Sequence, residues 1–187
     1  MVRWKIINEK YADYLRSNFE PRIPHTDYGE GKYKPFFGEL FRSGDLVYVT
    51  QVTSPKPRHY KMKNSLDFHK IYINGRLISC VNLNYMFPVP EAELNDLDYS
   101  RIDSLVDFDT EKDKNNYIRL LKLELQEINR LNIEQDAFKL YKRKYDKPDD
   151  TISKRCFDFL YLEKCAVKWT DRSPDNDDLV LAGSPNH

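Results

Sequence analysis

The chain of 187 residues predicts an α+β fold, a twisted antiparallel sheet of about five or six strands flanked by helices. Three observations lead there. Short runs of β-branched and aromatic residues, joined by turn residues, crowd the region before Pro90. Asn74-Gly75 between two such runs is the strongest short hairpin signal in the chain. Beyond Lys112 the apolar residues change to helical spacing. Strands first and helices mostly afterwards, with hairpin links, describe an antiparallel sheet rather than a parallel one.

In chain order, Trp4 to Ile7 is a short β-prone run, and Asn8 is placed to cap a helix over Glu9–Arg16. Tyr11 and Tyr14 on that helix suit packing better than substrate contact. Asn18 to Tyr33 holds Pro21, Pro24, Gly29 and Gly31 without periodicity and predicts a loop. Phe36–Phe41 reads as a strand, Ser43–Asp45 as a turn, and Leu46–Val52 as a second strand. Leu66–Ile73 and Arg76–Asn82 form the hairpin, and Met86–Pro90 closes the sheet region because proline does not fit a central strand. The acidic block Glu91–Asp113 predicts a linker with one helical turn. Helices follow over Lys112–Leu131 and Glu134–Tyr145, and a third begins near Thr151. Residues 1–168 are expected to be one domain, followed by an acidic, flexible tail over 169–187.

Composition narrows the function classes. No run approaches the roughly 18 uncharged apolar residues of a membrane helix, and the N-terminus lacks a secretory signal. Three cysteines without a C-x-x-C suggest reduced, buried thiols and a cytoplasmic location. Four scattered histidines give no metal-ligand spacing, and no cofactor motif is present. Formal net charge is zero, yet it is distributed in blocks. Residues 1–90 hold 14 basic against 8 acidic side chains, whereas residues 91–113 hold 2 against 9. A strongly basic face is compatible with that neutral total.

The loop Gln51–Ser65 concentrates the chemistry. It carries Thr53, Ser54, Lys56, Arg58, His59, Lys61 and Lys63 with no acid among them, and Pro55 and Pro57 predict a stiff, extended path. Hydroxyls and cations in fixed positions make an oxyanion or phosphate site, although the same composition also describes a solvated surface loop. Two chemistries fit. Ser54 with a lysine base resembles a Ser–Lys hydrolase acting on small esters or amides, but neither S-x-x-K nor G-x-S-x-G is present. Alternatively Thr53 and Ser54 hold a phosphate of RNA, which brings its own nucleophile in the 2′-hydroxyl.

Four segments, Lys10–Arg16 (K-Y-A-D-Y-L-R), Lys34–Gly38 (K-P-F-F-G), Thr53–His59 (T-S-P-K-P-R-H) and Asn82–Pro90 (N-L-N-Y-M-F-P-V-P), together resemble the ToxN/AbiQ family of endoribonuclease toxins from type III toxin–antitoxin systems. The resemblance spans roughly the first half of the chain. It implies a compact antiparallel fold like that of the Kid/MazF toxins and metal-independent RNA cleavage connected with phage defence. It further implies inhibition by a small repeated, pseudoknotted antitoxin RNA that the toxin processes, in a closed protein–RNA assembly, with cellular or phage RNA as substrate. Carried over by position, it makes Lys34, Thr53, Ser54 and Lys56 catalytic. Tyr28, Lys32, Arg58, His59, Lys61 and Lys63 are expected to bind RNA. The rival readings are an RNA-binding module without catalysis and the Ser–Lys hydrolase.

Overall fold

A computed structural model describes residues 1–26 and 33–170. Strand β1 (Arg3–Ile7) leads through Asn8 into helix α1 (Glu9–Asn18), and the Asn8 side chain accepts the Lys10 amide as the cap requires. Strands β2 (Phe36–Gly38), β3 (Arg42–Ser43) and β4 (Leu46–Thr53) follow, then the one-turn helix α2 (Pro57–Lys61). The hairpin β5 (Phe68–Ile73) and β6 (Arg76–Asn82) turns on Asn74 and Gly75, with φ of 50° and 74°. Two successive positive φ angles make a type I′ turn, whose twist matches that of the strands it joins.

Strand β7 (Phe87–Pro90) and strand β8 (Leu94–Asp96) complete an antiparallel sheet of eight strands, six of them along the path β5-β6-β4-β2-β1-β8. The sequence reading undercounted. The Phe36–Phe41 run divides at Gly38, and β2 and β3 lie end to end along one edge of β4, at Gln51–Thr50 and Val47–Leu46. Likewise β6 and β7 line the other edge, interrupted by a 3₁₀ turn over Leu83–Tyr85. Pro88 and Pro90 do join a strand, on an edge that they share with β4 alone. They occupy alternate positions, which leaves Phe87 and Val89 to present amides, while the Pro88 carbonyl turns away to accept the Tyr11 hydroxyl at 2.6 Å. The acidic block also departs from a linker, because Leu94–Asp96 pairs with β1. Its charge serves there: Lys5, buried, is bonded by Asp96 and Glu39 at 2.7 and 3.2 Å.

Flanked on both edges, β4 is buried over seven of its eight residues, the polar Thr50 and Gln51 among them. At Gly38 a Cβ would meet Val49 Cγ1 at 2.8 Å, so glycine permits the close approach of β2 to β4.

Helices α3 (Glu111–Arg130), α4 (Ile133–Asp146), α5 (Thr151–Arg155) and α6 (Phe159–Thr170) follow. The helix foreseen from Thr151 is thus two. Helix α6 packs on β7 and α3 on β5. Asn129 of α3 exchanges hydrogen bonds with the Val2 backbone, and the Trp4 indole donates to the Leu121 carbonyl at 2.8 Å, so α3 is fastened to the start of the chain. Trp169 packs edge-on against Tyr11 and bonds Glu93 at 2.7 Å, so the sequence boundary at residue 168 falls inside α6. The flexibility expected of the tail concerns 171–187, outside the described residues. Tyr11 is fully buried, as are the three free cysteines Cys80, Cys156 and Cys165, in keeping with their reading as core residues.

Candidate functional site

Strand β4 leaves the sheet at Thr53, and the backbone then runs through Ser54 and Pro55 to Lys56 before turning into α2. The loop is therefore extended only as far as Lys56; beyond it a proline at the first helical position starts a turn of helix. His59 holds that turn in place. Its ring is buried against Phe68, 5.4 Å between centroids, and its Nδ1 accepts the Lys56 amide at 3.1 Å. Burial, with Arg58 and Lys56 beside it, pushes its pKa down and keeps it neutral.

Lys34 arrives from β2's side of the sheet. Its backbone amide donates to the Thr26 carbonyl at 2.8 Å, and its own carbonyl accepts Gln51 Nε2 at 2.6 Å. Its ammonium donates to Ser54 Oγ at 3.1 Å. Burial pushes the Lys34 pKa down; Glu124 pulls it up and Lys56 pushes it further down.

Two cavities meet at Lys34, Thr53 and Ser54. One, about 500 Å³, is a cationic groove bounded by Arg22, Lys56 and Arg58, with His59, Asn82 and Tyr85 along its wall. Arg22 pairs with Glu20 at 2.7 Å and lies over the Phe157 ring at 5.0 Å. The other cavity, about 150 Å³, opens between β6 and α3. Tyr33 and Tyr117 form one wall, tied by the Tyr117 hydroxyl donating to the Tyr33 carbonyl at 2.8 Å. Glu124 lines it too, 5% exposed, and burial raises its pKa while Ser79 and Lys34 oppose that rise.

Of the residues singled out from sequence, Lys34, Thr53, Ser54, Lys56, Arg58 and His59 converge on the groove. Lys61 and Lys63 are exposed but line neither cavity. Tyr28 and Lys32 lie outside the described residues. Sequence reasoning missed Arg22, Gln51, Tyr85 and Glu124. Only Glu124 left a readable mark, since it stands three residues after Leu121 and four before Ile128, an acid on the apolar stripe of a helix. Among the described residues, no three His, Cys, Asp or Glu side chains converge as a metal site, and no helix is long and apolar enough to cross a membrane.

Comparison with known proteins bears on this geometry. Residues 3–167 match the family model described as Toxin ToxN, type III toxin-antitoxin system. Over 104 residues, 52% of the chain, the sequence is 31% identical to the endoribonuclease ToxN of Pectobacterium atrosepticum, and the match spans 59% of that relative's length. A solved structure belonging to work on a processed non-coding RNA that regulates a bacterial antiviral system has a TM-score of 0.68 at 26% identity, covering 87% of this chain and 95% of that one. Another, from a type III system whose toxin is selectively inhibited by a non-coding RNA pseudoknot, gives 0.69 at 23% identity over 90% and 98%. AbiQ, a lactococcal anti-phage endoribonuclease, gives 0.71 at 21% identity over 91% and 99%. The last two likenesses speak for a common fold.

Proposed function

The chain belongs to the ToxN family of type III toxin–antitoxin systems, and from that premise we propose that it is an endoribonuclease toxin, cutting RNA without a resident metal ion. The substrate's 2′-hydroxyl attacks the adjacent phosphorus, leaving a 2′,3′-cyclic phosphate and a 5′-hydroxyl. The observation that carries this reading is the 3.1 Å contact between Lys34 Nζ and Ser54 Oγ at the head of a cationic groove. A phosphate seated there meets the two hydroxyls of Thr53 and Ser54, which donate to its non-bridging oxygens. Lys56 neutralises the charge that grows on them. Lys34, whose ammonium is destabilised by burial, takes the proton of the attacking hydroxyl when it enters as the free amine, and water protonates the leaving 5′-oxygen as the P–O5′ bond breaks.

The groove also favours RNA over a small ester. Arg22, Lys56 and Arg58 line a channel with Tyr85 beside them, the mixture of cations and ring that a nucleic-acid strand requires. Arg58 is assigned to the substrate backbone, and Tyr28 and Lys32, which precede Lys34 in the sequence, are assigned to RNA binding as well. His59 contributes by shaping the turn, and Lys61 and Lys63 bind RNA that extends past the groove.

The partner is a small repeated antitoxin RNA, pseudoknotted and processed by the toxin, in a closed protein–RNA assembly; cellular or phage RNA is the substrate in the cytoplasm. The RNA-pseudoknot inhibition and anti-phage activity of the related proteins support this. A single toxin domain that takes in residues 1–168, akin to the compact Kid/MazF type, completes the proposal and is supported by a family match over residues 3–167.

Cleavage of single-stranded RNA in EDTA, followed by end-group analysis, tests the mechanism. Cyclic phosphate and 5′-hydroxyl ends are expected. A strict Mg²⁺ requirement or 3′-hydroxyl ends overturns it, and covalent labelling by a serine-reactive phosphonate without RNA cleavage would instead make the chain a Ser–Lys hydrolase.

A further inference from the structure

The cavity between β6 and α3 has a different character from the groove it adjoins. Its walls are apolar and aromatic, from Tyr33, Tyr117, Leu120 and Ile78. Two of its polar side chains are buried, Ser79 at 2% exposed and Glu124 at 5%. The Ser79 hydroxyl is near enough to favour the Glu124 carboxylate, yet it forms no well-aligned hydrogen bond. Buried polar groups are normally satisfied, so a hydroxyl without a well-aligned partner, beside a buried carboxyl in a slot with apolar walls, is placed for a ligand with flat apolar faces and a polar edge. At about 150 Å³ the slot matches a volume known to hold a single six-membered aromatic ring. It shares Lys34, Thr53 and Ser54 with the phosphate groove, so whatever enters it is next to the phosphate.

We propose that this slot receives the nucleobase beside the cleaved phosphate, and that the Glu124 carboxylate selects cytosine, which bears a 4-amino group, over uracil. This rests on the endoribonuclease reading. A phosphate is excluded by the carboxyl, whereas an exocyclic amino group donates to it. Uracil presents a carbonyl oxygen at the same place, and two acceptors then face one another away from water.

The test uses the full chain and RNA oligonucleotides with one mapped cleavage site, in which each base flanking the cut is exchanged between cytosine and uracil. The pair differs in little but the amino group. At one flanking position, cytosine is expected to exceed uracil by roughly ten- to a hundredfold in kcat/KM, the discrimination of one good base contact. In Glu124→Gln, whose amide also donates, that ratio is expected to fall below about threefold. Because Glu124 influences Lys34 as well, the overall rate changes too, and the ratio is the quantity read. Leu120→Trp, at an exposed wall of the slot, is a second variant and is expected to lose the ratio by closing it. If a variant does not cleave, equilibrium binding of the same pair with a 2′-deoxy block at the cut supplies the ratio. A parental enzyme that treats cytosine and uracil alike at every flanking position, or folded variants that keep the parental ratio, overturns the proposal. A parent that cleaves none of these RNAs removes the endoribonuclease reading itself, a distinct result.

Discussion

Gln51 Nε2 donates to the Lys34 carbonyl at 2.6 Å and to the His25 carbonyl at 2.8 Å. The strand that ends at Thr53, just before Ser54, therefore also holds the backbone from which Lys34 projects. Gln51 is buried, 7% exposed, two residues before Thr53. Replacement by leucine keeps the volume but leaves two carbonyls short of a donor, a change worth about 1–3 kcal/mol. Gln51→Leu is expected to lower kcat roughly tenfold or more, because an ångström of misplacement at Lys34 disturbs its contact with Ser54. Single-turnover kinetics beside a thermal melt checks this; unchanged cleavage with a lowered Tm would confine Gln51 to stability.

Ser54 tests the chemistry more directly. It is exposed, and its hydroxyl is the acceptor of the Lys34 ammonium. Ser54→Ala leaves no cavity, so stability should stay within about 0.5 kcal/mol of the parent. Loss of one preorganised donor to a charged transition state costs about 3–4 kcal/mol, roughly a hundred- to a thousandfold in rate. Such a loss, with unchanged Tm and retained RNA binding, is the expected outcome, and cleavage at the parental rate removes Ser54 from the site.

The burial of Lys34 predicts a pH dependence with a definite sign. A base works as the free amine, so the rate should climb with pH until Lys34 has lost its proton. Burial and Lys56 push that midpoint below the ordinary lysine value of 10.5, against the upward pull of Glu124. Glu124→Gln removes the upward pull, and the midpoint should move further down. Lys34→Arg, a group that stays charged, should abolish the ascending limb and most of kcat. A profile in which the limb persists in Lys34→Arg assigns the base elsewhere.

The fold and the site were legible to different degrees. The Asn74-Gly75 turn was local information, since two positive φ angles demand such residues. The capping of α1 by Asn8 was equally local. Strand β8 was hidden because Leu94, Asn95 and Asp96 carry no alternation; pairing with β1 and the need of buried Lys5 for a carboxylate define them instead. The division of β2 from β3 was invisible for a similar reason, being set by the approach of Gly38 to Val49 across the sheet. At the site, Thr53 to Lys56 announced themselves by sequence crowding. Arg22 and Tyr85 did not, because distant segments bring them to the groove, and Gln51 did not, because its part depends on the Lys34 and His25 carbonyls it bonds. His59 was recognised by residue type, but its role depended on Phe68, a contact that no spacing reveals.

Salt dependence distinguishes the basic side chains of the Gln51–Ser65 loop from one another. Lys56 and Arg58 border the groove, whereas Lys61 and Lys63 lie outside it. Each phosphate contact on a single strand contributes about −0.7 to the slope of log K against log salt. For a short oligonucleotide just spanning the groove, replacing both Lys56 and Arg58 with glutamine should make the slope shallower by roughly 1.4. The same exchange at Lys61 and Lys63 should leave that slope unchanged, since neither ammonium reaches the strand. For the longer antitoxin RNA both double variants should flatten the slope, because the folded RNA extends past the groove along α2. Binding titrations at several salt concentrations decide it. If the Lys61 and Lys63 variant flattens the slope for the short oligonucleotide as well, the strand leaves the groove over α2. If it changes neither slope, those two lysines are solvated surface and the antitoxin takes another path.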